Sequence, residues 1–155
     1  MNDTHGESGQ GWYGFDLDGT LAVYDGWQGI DHIGAPVVKT VRLMKRMHED
    51  GLKVKILTAR VSPRSDVETR PNPYLESHWC VESPSDMPWA LADRWTAKEF
   101  IQEWCWRTLG FVPEITHEKD HLMLNLFDDR VVQVEPNSGW ILGRMPPELV
   151  KYWED

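Results

Sequence analysis

The chain has 155 residues, enough for one domain with its own core and too few for two of ordinary size. Its composition, 41% hydrophobic and 26% charged, is typical of a globular protein, and no apolar run approaches the roughly 20 residues that cross a membrane. The net charge of −9 disfavours duplex nucleic acid as a partner, since proteins that hold the phosphate backbone usually carry a basic surface.

The first predicted element follows a polar, glycine-rich tail, residues 1–10, which lacks the apolar segment of a secretory signal and is expected to be disordered. The run WYGFDLDGT then predicts a buried strand that ends in a tight Asp-Gly turn. The two cysteines, Cys80 and Cys105, are too few for a disulfide framework, so we expect a cytoplasmic location.

An amphipathic helix is predicted next, in the run APVVKTVRLMKRMHEDG. Pro36 stands near its first turn, one face carries Val37, Val41 and Met44, and Gly51 ends it. The run LKVKILTAR predicts a second buried strand that ends in polar residues.

Residues 61–94 predict an irregular insertion, because prolines interrupt them repeatedly. Loops of this length in a compact domain are usually functional or disordered, and the tryptophans in this one favour order. We therefore predict a lid. Trp79, Trp89 and Trp95 are candidates to stack on a nucleobase, although packing in the core is the favoured role.

A second helix is predicted in the run WTAKEFIQEWCWRTLG. Thr96 and Glu99 form a capping box, Trp95 and Phe100 have the spacing of a hydrophobic staple, and Gly110 ends the helix. The runs FVPEIT and LMLNLFDD predict two more strands, VVQVEPNSGWIL predicts a hairpin around an Asn-Ser-Gly turn, and PPELVKYWED predicts a short helix. Strands that alternate with helices predict one α/β domain, residues 1–155, with a mostly parallel sheet.

Polar side chains stand where three of the predicted strands end. Asp16 and Asp18 follow the first strand, Thr58 follows the second, and Asp128 and Asp129 follow a later one. Ligands of open α/β sheets bind outside the carboxyl ends of the strands, so we expect these side chains to converge. Clustered carboxylates repel each other unless a cation is bound, and oxygen ligands favour Mg²⁺.

Such a cluster has the parts that phosphoryl transfer needs. With Mg²⁺ bound, Asp16 can attack phosphorus, and Asp18 can protonate the leaving oxygen and then activate water. Thr58 and Lys119 suit the neutralisation of the phosphoryl oxygens.

The chain resembles the haloacid dehalogenase (HAD) superfamily of phosphohydrolases over about residues 12–131. The resemblance rests on four motifs in the same order, which here are FDLDGTL, ILTAR, a lysine and LFDDR. The resemblance implies a three-layer, Rossmann-like fold in which Asp16 is the nucleophile and Asp18 the general acid and base. An aspartate at position 18 is similar to the phosphatases and phosphomutases of the superfamily.

The resemblance also implies the ligands of the site. Mg²⁺ would be held by the Asp16 carboxylate, the backbone carbonyl of Asp18 and Asp128, with Asp129 close by or acting through water. The implied contacts to the substrate come from the threonine motif and the lysine, namely Thr58, Ala59, Arg60 and Lys119.

The run HEKDH around Lys119 also fits the H-E-x-x-H pattern of zinc proteases. That chemistry needs the motif in mid-helix and a further ligand, but strand-like runs flank the motif and no histidine follows His121, so a chance match is favoured. His117 and His121 are then expected in a loop. Lys98, at the start of a capped helix, remains the alternative to Lys119, which is preferred because the lysine of short HAD proteins commonly follows the third strand.

The spacing of the motifs leaves no room for a complete cap domain, so the chain resembles a capless or minimally capped member. We expect a Mg²⁺-dependent phosphatase, a monomer or homodimer, that acts on a small phosphorylated metabolite such as a nucleotide or a sugar phosphate. Arg60, Arg64 and Arg70 are candidates for a second anionic group, with surface solvation as the alternative. The competing hypotheses are a polynucleotide end phosphatase and a catalytically silent phosphate-binding module.

Overall fold

The computed structural model describes residues 9–64, 68–75, 87 and 89–153. Its elements, in chain order, are β1 (Trp12–Phe15), α1 (Val38–Glu49), β2 (Lys53–Leu57), β3 (Arg70–Pro71), β4 (Arg94–Trp95), α2 (Ala97–Leu109), β5 (Glu114–Thr116), β6 (Met123–Phe127), β7 (Gln133–Val134), β8 (Ile141–Leu142) and α3 (Val150–Trp153). None of the helices in these ranges is long and apolar enough to cross a membrane.

The central sheet has four parallel strands in the order β5-β2-β1-β6. At the carboxyl end of β1, Phe15 pairs with Ile56 on one side and with Phe127 on the other. This sheet with its helices confirms the predicted α/β class. Because all four strands run the same way, their carboxyl ends meet at one edge, where the polar residues of the motifs follow them.

One face of the sheet carries the main core. Side chains of the sheet and of both longer helices join a single buried cluster, which includes Phe15, Ile56, Ile115, Val41, Met44, Ile101 and Cys105. The helices α1 and α2 therefore lie on the same side. The connection from β5 to β6, residues 117–122, is a loop and not a helix. The predicted three-layer arrangement stays a prediction.

The opposite face is closed by a few polar contacts. The indole of Trp12 lies across Gly14, where a Cβ atom would stand 2.9 Å from the ring. The Lys55 ammonium lies 4.5 Å from the centroid of that ring and pairs with Glu114 at 3.1 Å. The Trp12 indole N–H donates to the Asp120 carboxylate at 2.8 Å, which fastens the loop 117–122 to this face.

Part of the predicted insertion is ordered around a second, smaller core. β3 and β4 pair in antiparallel fashion, and Ile30, Trp89 and Trp95 pack together with Phe100 of α2. The packing role favoured for Trp89 and Trp95 is therefore confirmed. Trp79 and part of the predicted lid, residues 65–67, 76–86 and 88, lie outside the described residues, as does most of the predicted N-terminal tail, residues 1–8.

The helix signals of the sequence are confirmed at α2. The Glu99 carboxylate accepts a hydrogen bond from the Thr96 N–H at 2.9 Å, the rings of Trp95 and Phe100 meet edge to face, and Gly110 adopts φ +84°. The predicted hairpin is formed by β7 and β8, and the short terminal helix is α3.

Candidate functional site

A cavity of about 580 Å³ opens at the carboxyl ends of β1, β2 and β6, within the usual range for small-molecule sites. Its lining includes seven of the eight residues predicted for the site, Asp16, Asp18, Thr58, Ala59, Arg60, Lys119 and Asp128. The eighth, Asp129, lies beside them, in the acidic group described next. Strand ends that are far apart in sequence are thus brought to one place.

The acidic group consists of Asp16, Asp128 and Asp129, each with a carboxylate oxygen within 4.8 Å of the others. The pKa of Asp16 is raised from 3.8 to about 7, first by burial and then by the neighbouring Asp128 and Asp129, and a hydrogen bond from the Leu17 backbone opposes the rise. Three oxygen donors at this spacing suit a hard divalent cation, which would relieve the repulsion among the three carboxylates.

The turn after Asp16 shapes this group. The Asp16 N–H donates to the Phe127 carbonyl at 2.9 Å, which ties the turn to β6. Gly19 has φ +90°, and a Cβ atom there would lie 2.3 Å from an oxygen of Asp129. The Asp129 carboxylate therefore occupies the space that a side chain at position 19 would need, and only glycine leaves it there.

The two aspartates of the LFDDR run are held differently. The Asp128 carboxylate accepts from the Arg130 N–H at 2.8 Å, a turn-forming contact, while it also lines the cavity. Asp129 accepts from the Thr20 hydroxyl at 3.5 Å, a long contact. The turn-forming contact of the LFDDR run is thus made by Asp128.

Asp18 is engaged by an arginine rather than by the acidic group. The Nε and Nη2 atoms of Arg60 donate to the two carboxylate oxygens of Asp18, both at 2.8 Å, and Nη2 also donates to the His32 carbonyl at 2.9 Å. A fork of this kind is among the stronger ion-pair geometries. The predicted metal contact of Asp18 through its backbone carbonyl stays a prediction.

The threonine motif forms the floor of the cavity. Thr58 is buried at the end of β2, and its hydroxyl oxygen accepts from the Arg60 N–H at 3.2 Å, which starts the 3-10 turn Ala59–Val61. Because the oxygen is the acceptor in this contact, the hydroxyl proton remains available to a ligand. Arg64 and Arg70, the other candidates for an anionic group, are not among the described residues of the cavity wall.

The loop that contains HEKDH carries Lys119 and His117 into the cavity wall. The motif lies between β5 and β6 and not in a helix, so the zinc-protease pattern is a chance match. Asp120 holds the loop: its carboxylate accepts from Trp12 and, at 2.9 Å, from the Leu122 N–H. The hydrogen bond from Trp12 is the main reason why the pKa of Asp120 is lowered. Lys98 is exposed in α2 and does not line the cavity in the described structure.

Sequence reasoning missed an aromatic part of the wall. Tyr24 and Trp27, from the glycine-rich loop after the first motif, line the cavity, and Glu68 and Arg130 add a charge of each sign. The guanidinium carbon of Arg60 lies 4.8 Å from the centroid of the Trp27 ring. The only signal in the sequence was a tryptophan between two glycines close after the acidic motif.

No protein-family model, curated protein or solved structure matches this chain. The likeness to the HAD superfamily therefore rests on the sequence motifs alone, and the function has to be inferred from the side chains that the cavity brings together.

Proposed function

We propose that the protein is a Mg²⁺-dependent phosphatase of the HAD type, with a HAD-like variant of the α/β fold, that hydrolyses a small phosphomonoester through an aspartyl-phosphate. The observation that supports this most is the meeting of the Asp16, Asp128 and Asp129 carboxylates with Lys119 and Thr58 at one cavity. A nucleophile, a cation site and phosphate-binding groups are the parts that this chemistry requires.

In the first proposed step an oxygen of Asp16 attacks phosphorus, and the bond from phosphorus to the ester oxygen breaks. Asp18 gives a proton to the departing oxygen, which leaves as an alcohol. The Lys119 ammonium and the Thr58 hydroxyl bind the phosphoryl oxygens, whose charge is spread in the transition state.

In the second step water attacks the phosphorus of the aspartyl-phosphate while Asp18 takes up its proton. The bond from phosphorus to the Asp16 oxygen breaks, which regenerates the carboxylate and yields inorganic phosphate. The bound Mg²⁺, held by Asp16 and Asp128 with Asp129 beside them, would supply charge neutralisation.

The hold of Arg60 on Asp18 bears on both steps. Two hydrogen bonds to the ionised carboxylate suit the base that the second step needs. When Asp18 is protonated, one of its two oxygens carries the proton and only the other can accept from Arg60. The first step therefore requires at least one of the two hydrogen bonds from Arg60 to break.

The test is phosphate release from an aryl phosphate and a panel of nucleotides and sugar phosphates, with Mg²⁺, with Zn²⁺ and with a chelator. Asp16→Asn removes the nucleophile and should lose nearly all release that Mg²⁺ supports in the wild type. Asp50→Asn, at the exposed end of α1, is the matched control and should keep it.

Turnover that persists in Asp16→Asn would exclude the aspartyl mechanism. A folded wild type that binds Mg²⁺ and phosphate but releases none from the whole panel would support the silent phosphate-binding module instead. Release that requires Zn²⁺ would argue against the hard oxygen site.

A further inference from the structure

One nitrogen of Arg60 is left over in the network around Asp18. Nε and Nη2 are used by Asp18 and the His32 carbonyl, whereas Nη1 is buried without a hydrogen-bond partner in the described structure. Buried donors are nearly always paired, because an unpaired one loses its hydration without compensation. Arg60 lines the cavity, so a small movement of its guanidinium would bring Nη1 to an acceptor on a bound molecule and complete its hydrogen bonds.

Trp27 lies at the same part of the cavity and is unlike the tryptophans of the core. Trp12, Trp89 and Trp95 are buried, whereas 56% of Trp27 is exposed although it lines the cavity. The Arg60 guanidinium lies against its ring in a cation–π contact, which favours one position of the indole. An exposed flat ring held beside an unpaired donor is suited to a planar ligand.

We propose that Trp27, Tyr24 and the Nη1 atom of Arg60 form a nucleoside subsite, which we call the Trp27 subsite. The base of a terminal nucleoside phosphate stacks on Trp27, and an oxygen of its sugar or base accepts from Nη1. This rests on the proposed function, because it assigns the leaving group of the phosphate that Asp16 attacks.

The chemistry of the subsite separates the two substrate classes that the sequence left open. Every nucleobase offers a π-face to an aromatic side chain, whereas a simple sugar phosphate does not. Both ligands would bring hydroxyl oxygens to Nη1, so the tryptophan is the group that discriminates. Terminal nucleoside phosphates occur as free mononucleotides and at the ends of strands, and the experiment below distinguishes these sources.

The first arm measures kcat/KM for a nucleoside monophosphate and for glycerol phosphate, which has no ring. In Trp27→Ala the ratio of the two values should fall by about 10-fold or more, through a higher KM for the nucleotide, since stacking on the indole is lost. Trp27→Phe should restore part of the ratio. Trp140→Ala, at an exposed tryptophan of the C-terminal region, should leave it unchanged. An equal ratio in wild type and Trp27→Ala would overturn the subsite.

The second arm measures binding without turnover. In Asp16→Asn with Mg²⁺, calorimetry should detect tighter binding of the nucleoside monophosphate than of glycerol phosphate, and addition of Trp27→Ala should abolish the difference. If no ester is hydrolysed by the wild type but this difference is present, the proposed phosphatase fails and the subsite stands. If hydrolysis occurs and the difference is absent, the subsite fails alone.

A third arm compares the mononucleotide with a short oligonucleotide that carries a terminal phosphate. Dependence on Trp27 for either one supports the subsite and names the source of its ligand. If neither substrate depends on Trp27, the subsite is contradicted. The melting temperature of each variant is measured alongside, and Trp27→Phe serves where the alanine variant is unstable.

Discussion

The two faces of the sheet are built from different chemistry. One face is covered by α1 and α2 through apolar packing, in which Ile56 and Ile101 are fully buried. The other is closed by Trp12 with the charged groups of Lys55 and Asp120. Apolar packing stabilises the fold but is non-directional. The polar contacts of Trp12, by contrast, fix the position of one loop, and that loop carries Lys119. Stability and site geometry should therefore respond to different substitutions.

The largest loss of stability is expected on the apolar face. Ile56→Ala leaves a cavity under both helices and should lower the free energy of unfolding by about 2–5 kcal/mol. Urea unfolding monitored by circular dichroism measures it. Leu43→Ala, at an exposed position of α1, is the control and should change the value by less than about 0.5 kcal/mol. Similar losses in both variants would contradict the assignment of the core.

Apart from the loss of the Asp16 nucleophile, the largest loss of activity is expected from the loop on the polar face. Lys119→Ala removes a cation from the phosphoryl oxygens and should lower kcat by about 10²–10³. Lys98→Ala should leave kcat near the wild-type value, because Lys98 does not line the cavity in the described structure. The reverse result would show that the phosphate-binding lysine was wrongly chosen. Steady-state phosphate release decides between them.

A smaller effect is expected at the anchor of that loop. Asp120→Ala leaves the Trp12 indole N–H without its acceptor and frees Lys119 to move, so kcat should fall about tenfold. Asp120→Asn keeps an acceptor for Trp12 and should retain most of the activity. A binding role for the carboxylate charge itself, rather than a positioning role, would make the two variants equally poor. The comparison of kcat and KM in both variants is the measurement.

A pH-dependent effect on stability is expected from the acidic group in metal-free protein. The pKa of Asp16 is raised from 3.8 to about 7, so the folded state keeps a proton that the unfolded state releases. The contribution of this carboxyl to stability is therefore full below pH 3.8 and is lost as the pH rises to about 7. The melting temperature of the wild type should fall relative to Asp16→Asn over this window, and Mg²⁺ should restore it. Parallel profiles of the two proteins would contradict the raised pKa.

Much of the apolar face was predictable, because local patterns encode it. The spacing of Val41 and Met44, the capping pair Thr96 and Glu99, and the glycine after α2 each act within a few residues. The convergence of strand-end residues at the cavity followed from the rule for parallel sheets. These predictions needed no knowledge of distant contacts.

The remaining parts of the site depend on pairs far apart in the chain. The partner of Asp18 is 42 positions away, and the acceptor for the Trp12 indole is 108 positions away. Neither pairing leaves a periodic signal in the sequence. Trp27 was overlooked for a related reason, since an exposed aromatic residue in a loop acquires meaning only when the cavity beside it is seen.

Two glycines of the same loop region should differ sharply in the substitutions that they tolerate in a saturation mutagenesis library. Gly19, whose missing side chain leaves room for Asp129, combines a left-handed backbone with a blocked position, so selection for function should recover glycine alone. Gly26 has φ +117° but no atom within 4 Å of its would-be Cβ, so there the backbone alone opposes replacement. Position 19, in the acidic motif, should therefore accept no substitution, whereas position 26, a few residues later, should accept a few.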